Sequence, residues 1–533
     1  MKKFVLIVIS ASLIAACNIG DLDFDNVEMQ PITGVFSFPL GETTYVMRDL
    51  LLSQTDSIGF IEDTTSLITL QYFDTIVYNA PNDFIQINDI VQSGVLTAPT
   101  SMAGAPRTVD LFESFDLAYN PATGEQIDSL FYETGDLTIE TISQLSGTLS
   151  YSYTIVNTTN INTNNPVVLA GSINGPGTDT QTQTLVNHKT KLTGGSSNTF
   201  SVIFDASVDL AATDNLVGNE QVTFNITYGN QTFNLIYGKF GQDTVQVGNQ
   251  SIDIDFFSQA NRDGITFGNP KMTFDFRNSF GVPVQLDLSG INGDDGSGGD
   301  RFDLKGDIVN NPETIAGSDV NTPGPNQEGE TVQTLIEVNR NNSNILGLFA
   351  SAPSRLNFDV SGLSNASDPS QLNYLQPTSQ ITAYVGMEIP MEIQLENLEE
   401  TGYYGLGDGL DLGNVDSAFL RVVTINELPF AAVVNLEIQD ADSATLYTVA
   451  DNQVMVAPFI NVNGEVTDPN GVTADIPLSP EGVAALEAGS HILITLILNT
   501  PASQTSREIY VKVLADYQLT VKVGVGGKLN LDL

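Results

Sequence analysis

Side chains able to ligate, attack or shuttle protons are sparse in this chain and poorly clustered. The histidines are His188 and His491, far apart in sequence, and Cys17 is the only cysteine. A zinc site needs several His or Cys together. A Ser-His-Asp triad needs one of those two histidines beside a serine. The chain contains no Gly-x-Ser-x-Gly elbow and no phosphate-cradling glycine loop with a lysine. His491 opens the apolar run 492–498 and reads as a residue at the edge of a core. Paired carboxylates can hydrolyse glycosides. Glu399-Glu400, ahead of Tyr403-Tyr404, is the most cleft-like pair, but 64 acidic residues make such pairs common by chance. Calcium is the remaining possibility, because hard cations want several oxygens from Asp, Asn and carbonyls in a glycine-rich loop. The segment 292–300 has that composition, with Asn292, Asp294, Asp295 and Asp300 as candidate ligands. It lacks the regular Asp spacing and the distal Glu of a calcium loop. Asp408-Gly409-Leu410-Asp411 is a weaker version. The expectation is no catalytic residue and no cofactor, with Ca²⁺ as the one candidate.

The elements that would position these residues are strands. Apolar and polar residues alternate with period two in 135–142, 202–210, 251–256, 272–277 and 284–288. Turn signals punctuate them: Asn-Gly at 292–293 and 463–464, Gly229-Asn230, and 440–443. Helix signals are few. Ser479 as N-cap, Pro480 at the first position and Gly489 near the end predict a short helix, and 47–52 predict another. The fold expected is all-β: tandem β-sandwich-like modules with very few short helices. Residues 171–198 and 289–331, rich in Gly, Asn and Thr or Asp, read as hinges or large loops. The expected division is 1–16 as a signal peptide, then β modules at 17–140, 141–262, 263–412 and 413–533. A faint internal echo pairs 272–288 with 419–438, aligned on Pro283 and Pro429, and a second pairs 36–40 with 387–391.

The N-terminus carries an address. Lys2 and Lys3 precede an apolar run from Phe4 to Ala16, shorter than the ~20 residues that span a bilayer and suited to a signal peptide. The run ends Leu13-Ile14-Ala15-Ala16-Cys17, which resembles the bacterial lipobox. That resemblance implies cleavage before Cys17 and lipid attachment to its thiol. The rest of the chain then has no thiol for disulfides or catalysis. With 19 basic and 64 acidic side chains, net charge is −45. Such a surface repels nucleic acid and anionic lipid headgroups. The absence of Trp removes one common sugar-stacking residue, although the 16 Tyr can stack as well.

Several phrases together carry a family resemblance: Ile127-Asp128-Ser129-Leu130 with 133–139, Glu388-Ile389-Pro390-Met391, Asn426 to Pro429, and 517–524. The chain resembles large β-rich lipoproteins of Bacteroidota. The resemblance implies fold and location, and nothing catalytic. Acidic residues soon after Cys17 (Asp21, Asp23, Asp25) are similar to the surface-export signal of such lipoproteins. They point to the outer membrane, at its cell-surface or its periplasmic face. The phylum's O-glycosylation pattern, Asp-Ser/Thr-aliphatic, is matched at several places, with Ser443 the favoured acceptor. The expected function is a non-enzymatic outer-membrane lipoprotein with a structural or binding role. Its partners are the membrane, through lipid, and an envelope protein or glycan, with no nucleic acid. The rival is a module binding glycan or hydrophobic cargo, with a glycosidase less favoured. A cargo carrier requires a long apolar cavity. A glycan binder requires an exposed tyrosine platform beside polar side chains.

Overall fold

The computed structural model describes residues 35–51, 59–98, 101–121, 124–192, 198–254, 264–294, 301–318, 327–406, 415–501 and 509–529. The alternating segments are strands, and the fold is all-β as expected. Both expected helices are present, Met47–Leu51 and Pro480–Ala488. Ser479 caps the second, its Oγ accepting from the Gly482 amide at 3.4 Å.

The strands form two sandwiches and a barrel, threaded through one another. In the first sandwich, one sheet runs Val35–Val46, Gln518–Leu529, Val415–Asn426, Asn470–Leu478. The facing sheet runs Leu398–Gly405, His491–Asn499, Ala431–Gln439, Thr445–Met455. In the second, one sheet runs Ile68–Tyr78, Ile381–Pro390, Lys271–Asn278, Val332–Val338, with Gly59–Glu62 on its edge. The facing sheet runs Thr244–Asp253, Arg355–Ser364, Val284–Asp294, Arg301–Asp303. The two orders correspond strand for strand. The connection after the first strand carries the insertion in both. In the first sandwich it holds the whole second sandwich, and in the second it holds the barrel.

This nesting corrects the serial division of the chain. The expected boundary at 140/141 falls inside the unbroken strand Gln126–Ser143. The boundaries at 262 and 412 lie outside the described residues, but Thr244–Asp253 and Lys271–Asn278 around the first belong to the second sandwich, and Leu398–Gly405 and Val415–Asn426 around the second belong to the first. The reason is that sheet pairing is long-range, so chain order does not reveal which strands are neighbours.

Matching corners make the duplication concrete. Asn278 ends a strand, and its side chain reaches around the turn to the next sheet. Its Nδ2 donates to the Val282 carbonyl at 2.9 Å and its Oδ1 accepts from the Phe280 amide at 2.9 Å. Asn426 does the same with Phe430 at 2.9 Å and Leu428 at 2.8 Å. Both asparagines are fully buried. The structure therefore aligns the repeats on these asparagines and not on Pro283 and Pro429. The second sequence echo is not structural, because 36–40 and 387–391 lie on strands that are not equivalent.

The barrel wraps Arg107–Ala118, Thr199–Leu210, Thr148–Asn160, Pro166–Asn174, Gly177–Thr184, Gln126–Ser143, Gln221–Lys239 and Ile90–Thr97 around one core. Residues 171–198, expected as a loop or hinge, thus supply wall strands as far as they are described. Gly229-Asn230 is a bulge within the strand Gln221–Lys239 and not a turn, and Asn292-Gly293 likewise sits inside Val284–Asp294. The turn at 463–464 is present, with Gly464 at φ +82°. Inward positions are aromatic. Tyr153 and Phe204 centroids lie 4.9 Å apart, Phe200 and Tyr228 5.3 Å, and Phe115 and Phe224 4.6 Å. A side chain at Gly94 would collide with the Phe224 ring, so only glycine lets that ring close the edge. These rings pack against one another inside the barrel.

Buried phenols are joined in one hydroxyl chain. Tyr119 meets Tyr132 at 2.9 Å, Tyr132 meets Thr190 at 2.6 Å, and Thr190 meets Thr158 at 2.8 Å. Gln231 Oε1 terminates it, accepting from Tyr119 at 2.6 Å. Burial pushes Tyr132 from the ordinary 10.0 to about 12, and Tyr119 and Tyr228 also upward. These groups fold neutral, so their stabilisation is whole below pH 10.0 and is lost as pH rises toward about 12. Tyrosinate absorbance at 295 nm should therefore have a late fraction that appears together with loss of barrel structure. Complete titration without unfolding would contradict this.

The barrel is welded to the second sandwich. The strand Asn373–Leu375, from that sandwich, pairs with Ile236–Gly238 of the barrel sheet. Beside it, buried Asn365 donates to the Gly241 carbonyl at 2.8 Å, and Asn373 donates to the Gly281 carbonyl at 2.9 Å. The two sandwiches are clamped by Arg48, which meets Glu62 and Asp516 each at 2.7 Å.

Candidate functional site

The residues singled out by sequence do not converge. Cys17, Asp295, Asp300 and 408–411 lie outside the described residues. Asn292 and Asp294 are strand residues bridged by Asn357, whose Nδ2 donates to Asn292 Oδ1 at 3.0 Å and to Asp294 Oδ2 at 2.6 Å. Glu399 and Glu400 are adjacent on the strand Leu398–Gly405 and so face opposite sides. Glu400 is half-buried, which raises its carboxyl above the usual range, and Glu399 is exposed. They cannot flank one substrate bond. His491 is half-buried, with Nδ1 3.4 Å from the Asp440 carbonyl, and His188 sits on a barrel strand. Ser443 stands exposed on a tight turn at φ +63°, where Asp440 Oδ1 accepts from the Asp442 and Ala444 amides at 2.9 Å. No cluster of three metal-ligating side chains occurs among the described residues. A depression of about 260 Å³ marks the seam between barrel and second sandwich, lined by 124–126, 239–243 and 369–370.

A different surface stands out. The outward face of the second sandwich's sheet presents three rows across adjacent strands. Phe73, Gly386, Thr273 and Glu337 form one row. Thr75, Tyr384, Asp275 and Leu335 form the next, and Val77, Thr382, Arg277 and Gln333 the third. The alternation that buries Met272, Phe274 and Phe276 sends Thr273, Asp275 and Arg277 outward. Phe73 is 65% exposed, Leu335 68% and Tyr384 43%. Large apolar side chains exposed together on one sheet face mark binding surfaces more often than singly scattered ones do.

The rings are held in place. A Cβ at position 386 would lie 2.6 Å from Thr273 Oγ1 and 3.1 Å from Phe73 Cε1, so glycine gives room both to that hydroxyl and to the Phe73 ring lying across the neighbouring strand. The Arg277 guanidinium sits 5.1 Å from the Tyr384 centroid. Asp275 fixes that guanidinium by accepting from Arg277 Nη2 at 3.3 Å, and it also accepts from Gln333 Nε2 at 2.8 Å. Lys271 and Glu388 pair at 2.7 Å on the flank.

The first sandwich is an internal control. Aligned on the asparagine corners and cross-strand partners, Phe73 corresponds to Pro39, Tyr384 to Lys522, Leu335 to Thr473, Asp275 to Val423 and Arg277 to Ile425. Gly386 corresponds to Gly524. That face carries a ring of its own, Phe419, with Arg421 5.1 Å from its centroid, but none at the positions of Phe73 and Tyr384, so the fold does not require rings at those two positions.

No protein-family model matches the chain, and no curated protein matches it. Among solved structures, a protein of Parabacteroides distasonis ATCC 8503 presumed secreted is 13% identical, with a TM-score of 0.33. That match covers 54% of this chain and 82% of that one. A T=1 particle derived from infectious bursal virus is 8% identical with a TM-score of 0.14, covering 81% and 77%. The functional reading therefore rests on the residues themselves.

Sequence reasoning missed Phe73, Tyr384 and Leu335. A signal was present: each is a large apolar residue at a polar-phase position of an alternating strand. No described helix is long and apolar enough to cross a membrane.

Proposed function

We propose that this is an exported, lipid-anchored and non-enzymatic envelope protein that binds a partner through the sheet face around Phe73 and Tyr384. The observation that carries the reading is the pair of exposed rings, Phe73 and Tyr384, at positions that hold Pro39 and Lys522 on the equivalent sandwich. The lipobox-like run that ends at Cys17 supports the anchor. The strand that follows it, Val35–Val46, belongs to the first sandwich. That sandwich then sits nearest the membrane, and the second sandwich with its barrel is held outward. The acidic residues behind Cys17 favour the outer membrane and its external face. The similarity to Bacteroidota lipoproteins fits the same address.

Two measurements test this. Growth with alkyne-tagged palmitate should label the wild-type protein, and Cys17→Ala should remain unlabelled and uncleaved. A photo-cross-linking phenylalanine derivative at position 384, activated on intact cells, should form adducts, whereas the same group at position 522 should not. Equal adducts at both positions, or none at either, would remove the binding face.

A further inference from the structure

Resting on that reading of the face, we infer that its ligand is an uncharged polysaccharide. Three features of the platform select this chemistry. First, its apolar groups are separated by polar ones. Phe73 is opposite Gly386, and Tyr384 lies between Thr75 and Asp275. A protein-binding hot spot is a contiguous, water-excluding patch with few charges. This face instead intersperses Lys271, Asp275, Arg277, Glu337 and Glu388 among its rings. Sugars have the complementary pattern: C–H faces that stack on an aromatic ring, rimmed by hydroxyls that seek polar partners.

Second, Phe73 and Tyr384 are diagonal cross-strand neighbours, roughly 7–8 Å apart. Both side chains leave the same face of the sheet, so one glycan chain can contact both, and the strand pairing fixes the interval between their backbones. Beside Tyr384, a carboxylate offers about four acceptor sites, and at Asp275 two contacts are made, by Gln333 and Arg277. The remaining sites and the unused guanidinium donors can meet sugar hydroxyls.

Third, the charge selects neutrality. The face carries two cations, Lys271 and Arg277, among three anions, on a chain of net charge −45. An acidic polysaccharide would be repelled at range. An anionic lipid surface is disfavoured by the same field.

The test is affinity gel electrophoresis of the chain after Cys17 in gels containing galactomannan, xyloglucan, laminarin or dextran, with alginate as the acidic comparison. At least one neutral polymer should retard the wild type, and alginate should not. Tyr384→Ala and Phe73→Ala should each weaken that retardation at least tenfold with melting temperature unchanged, while Lys522→Ala on the equivalent face should not. Gly386→Val, which displaces the Phe73 ring, should weaken it as well. Retardation by none of the four neutral polymers, by alginate alone, or undiminished in both aromatic variants overturns the inference. If the cross-linking adduct at position 384 is then a protein, the binding face stands and the glycan assignment falls. If no adduct forms either, both fall.

Discussion

Replacing Asn278 with alanine should destabilise the second sandwich by about 3 kcal/mol, and Asn426→Ala should do the same to the first. Each side chain is fully buried and ties three backbone groups of a sheet-to-sheet turn. Asn278 serves the Phe280 amide and the Val282 and Ala316 carbonyls at 2.9, 2.9 and 3.2 Å. Asn426 serves the Leu428 amide and the Phe430 and Val456 carbonyls at 2.8, 2.9 and 2.9 Å. Alanine removes the partner and leaves those groups buried, at a cost of about 1–3 kcal/mol each before relaxation. Aspartate should be worse than alanine, since it loses the donors and brings an uncompensated charge. Denaturant unfolding monitored by circular dichroism would show the lowered midpoint. A change below ~0.5 kcal/mol in both alanine variants would mean the corners are not the shared structural device argued above.

Phe204→Ala should cost the barrel about 3–5 kcal/mol, the range for truncating a fully buried aromatic. Its ring is held by Tyr153 at 4.9 Å and by Tyr151 and Phe224, each at 6.4 Å. Phe112, opposite Asp205 on the neighbouring strand, points outward and is exposed. Phe112→Ala should therefore change stability by less than ~0.5 kcal/mol. The pair isolates inward from outward positions on one ladder. Equal effects would show that the barrel interior is not the packed core its ring contacts describe. Because Asn373–Leu375 extends the barrel sheet, unfolding in Phe204→Ala should also loosen the turn at Asn365. Hydrogen exchange at the Asn365 amide, which donates to the Pro283 carbonyl at 3.0 Å, can report this.

Only part of the platform could be read from sequence. The polar residues Thr273, Asp275 and Arg277 are visible as the outward phase of a strand. Phe73, Tyr384 and Leu335 occupy the outward phase of three other strands, and nothing in the chain says that those strands adjoin. The equivalence of Thr382, Val385 and Gly386 with Thr520, Val523 and Gly524 is also present in the sequence. It becomes recognisable only when Asn278 and Asn426 supply the register.

What the sequence determined by itself is what local physics governs. Period-two alternation makes 135–142, 202–210 and 272–277 strands whatever they pair with. The Ser479-Pro480 start nucleates its helix from its own capping groups. The lipobox-like pattern ending at Cys17 is likewise legible without reference to any fold. Tertiary structure decided everything that depends on partners distant in the chain. It placed Val35–Val46 beside Gln518–Leu529 and Ile68–Tyr78 beside Ile381–Pro390, so the units are nested and not serial. It turned 171–192 into barrel wall, because Thr-rich strands with one half-buried face are stable once neighbours supply their ladders. It also gathered three exposed apolar residues from three strands onto one face of one sandwich. Pairing specificity resides in complementary faces and corners that meet only on folding, so no reading along the chain could show that face.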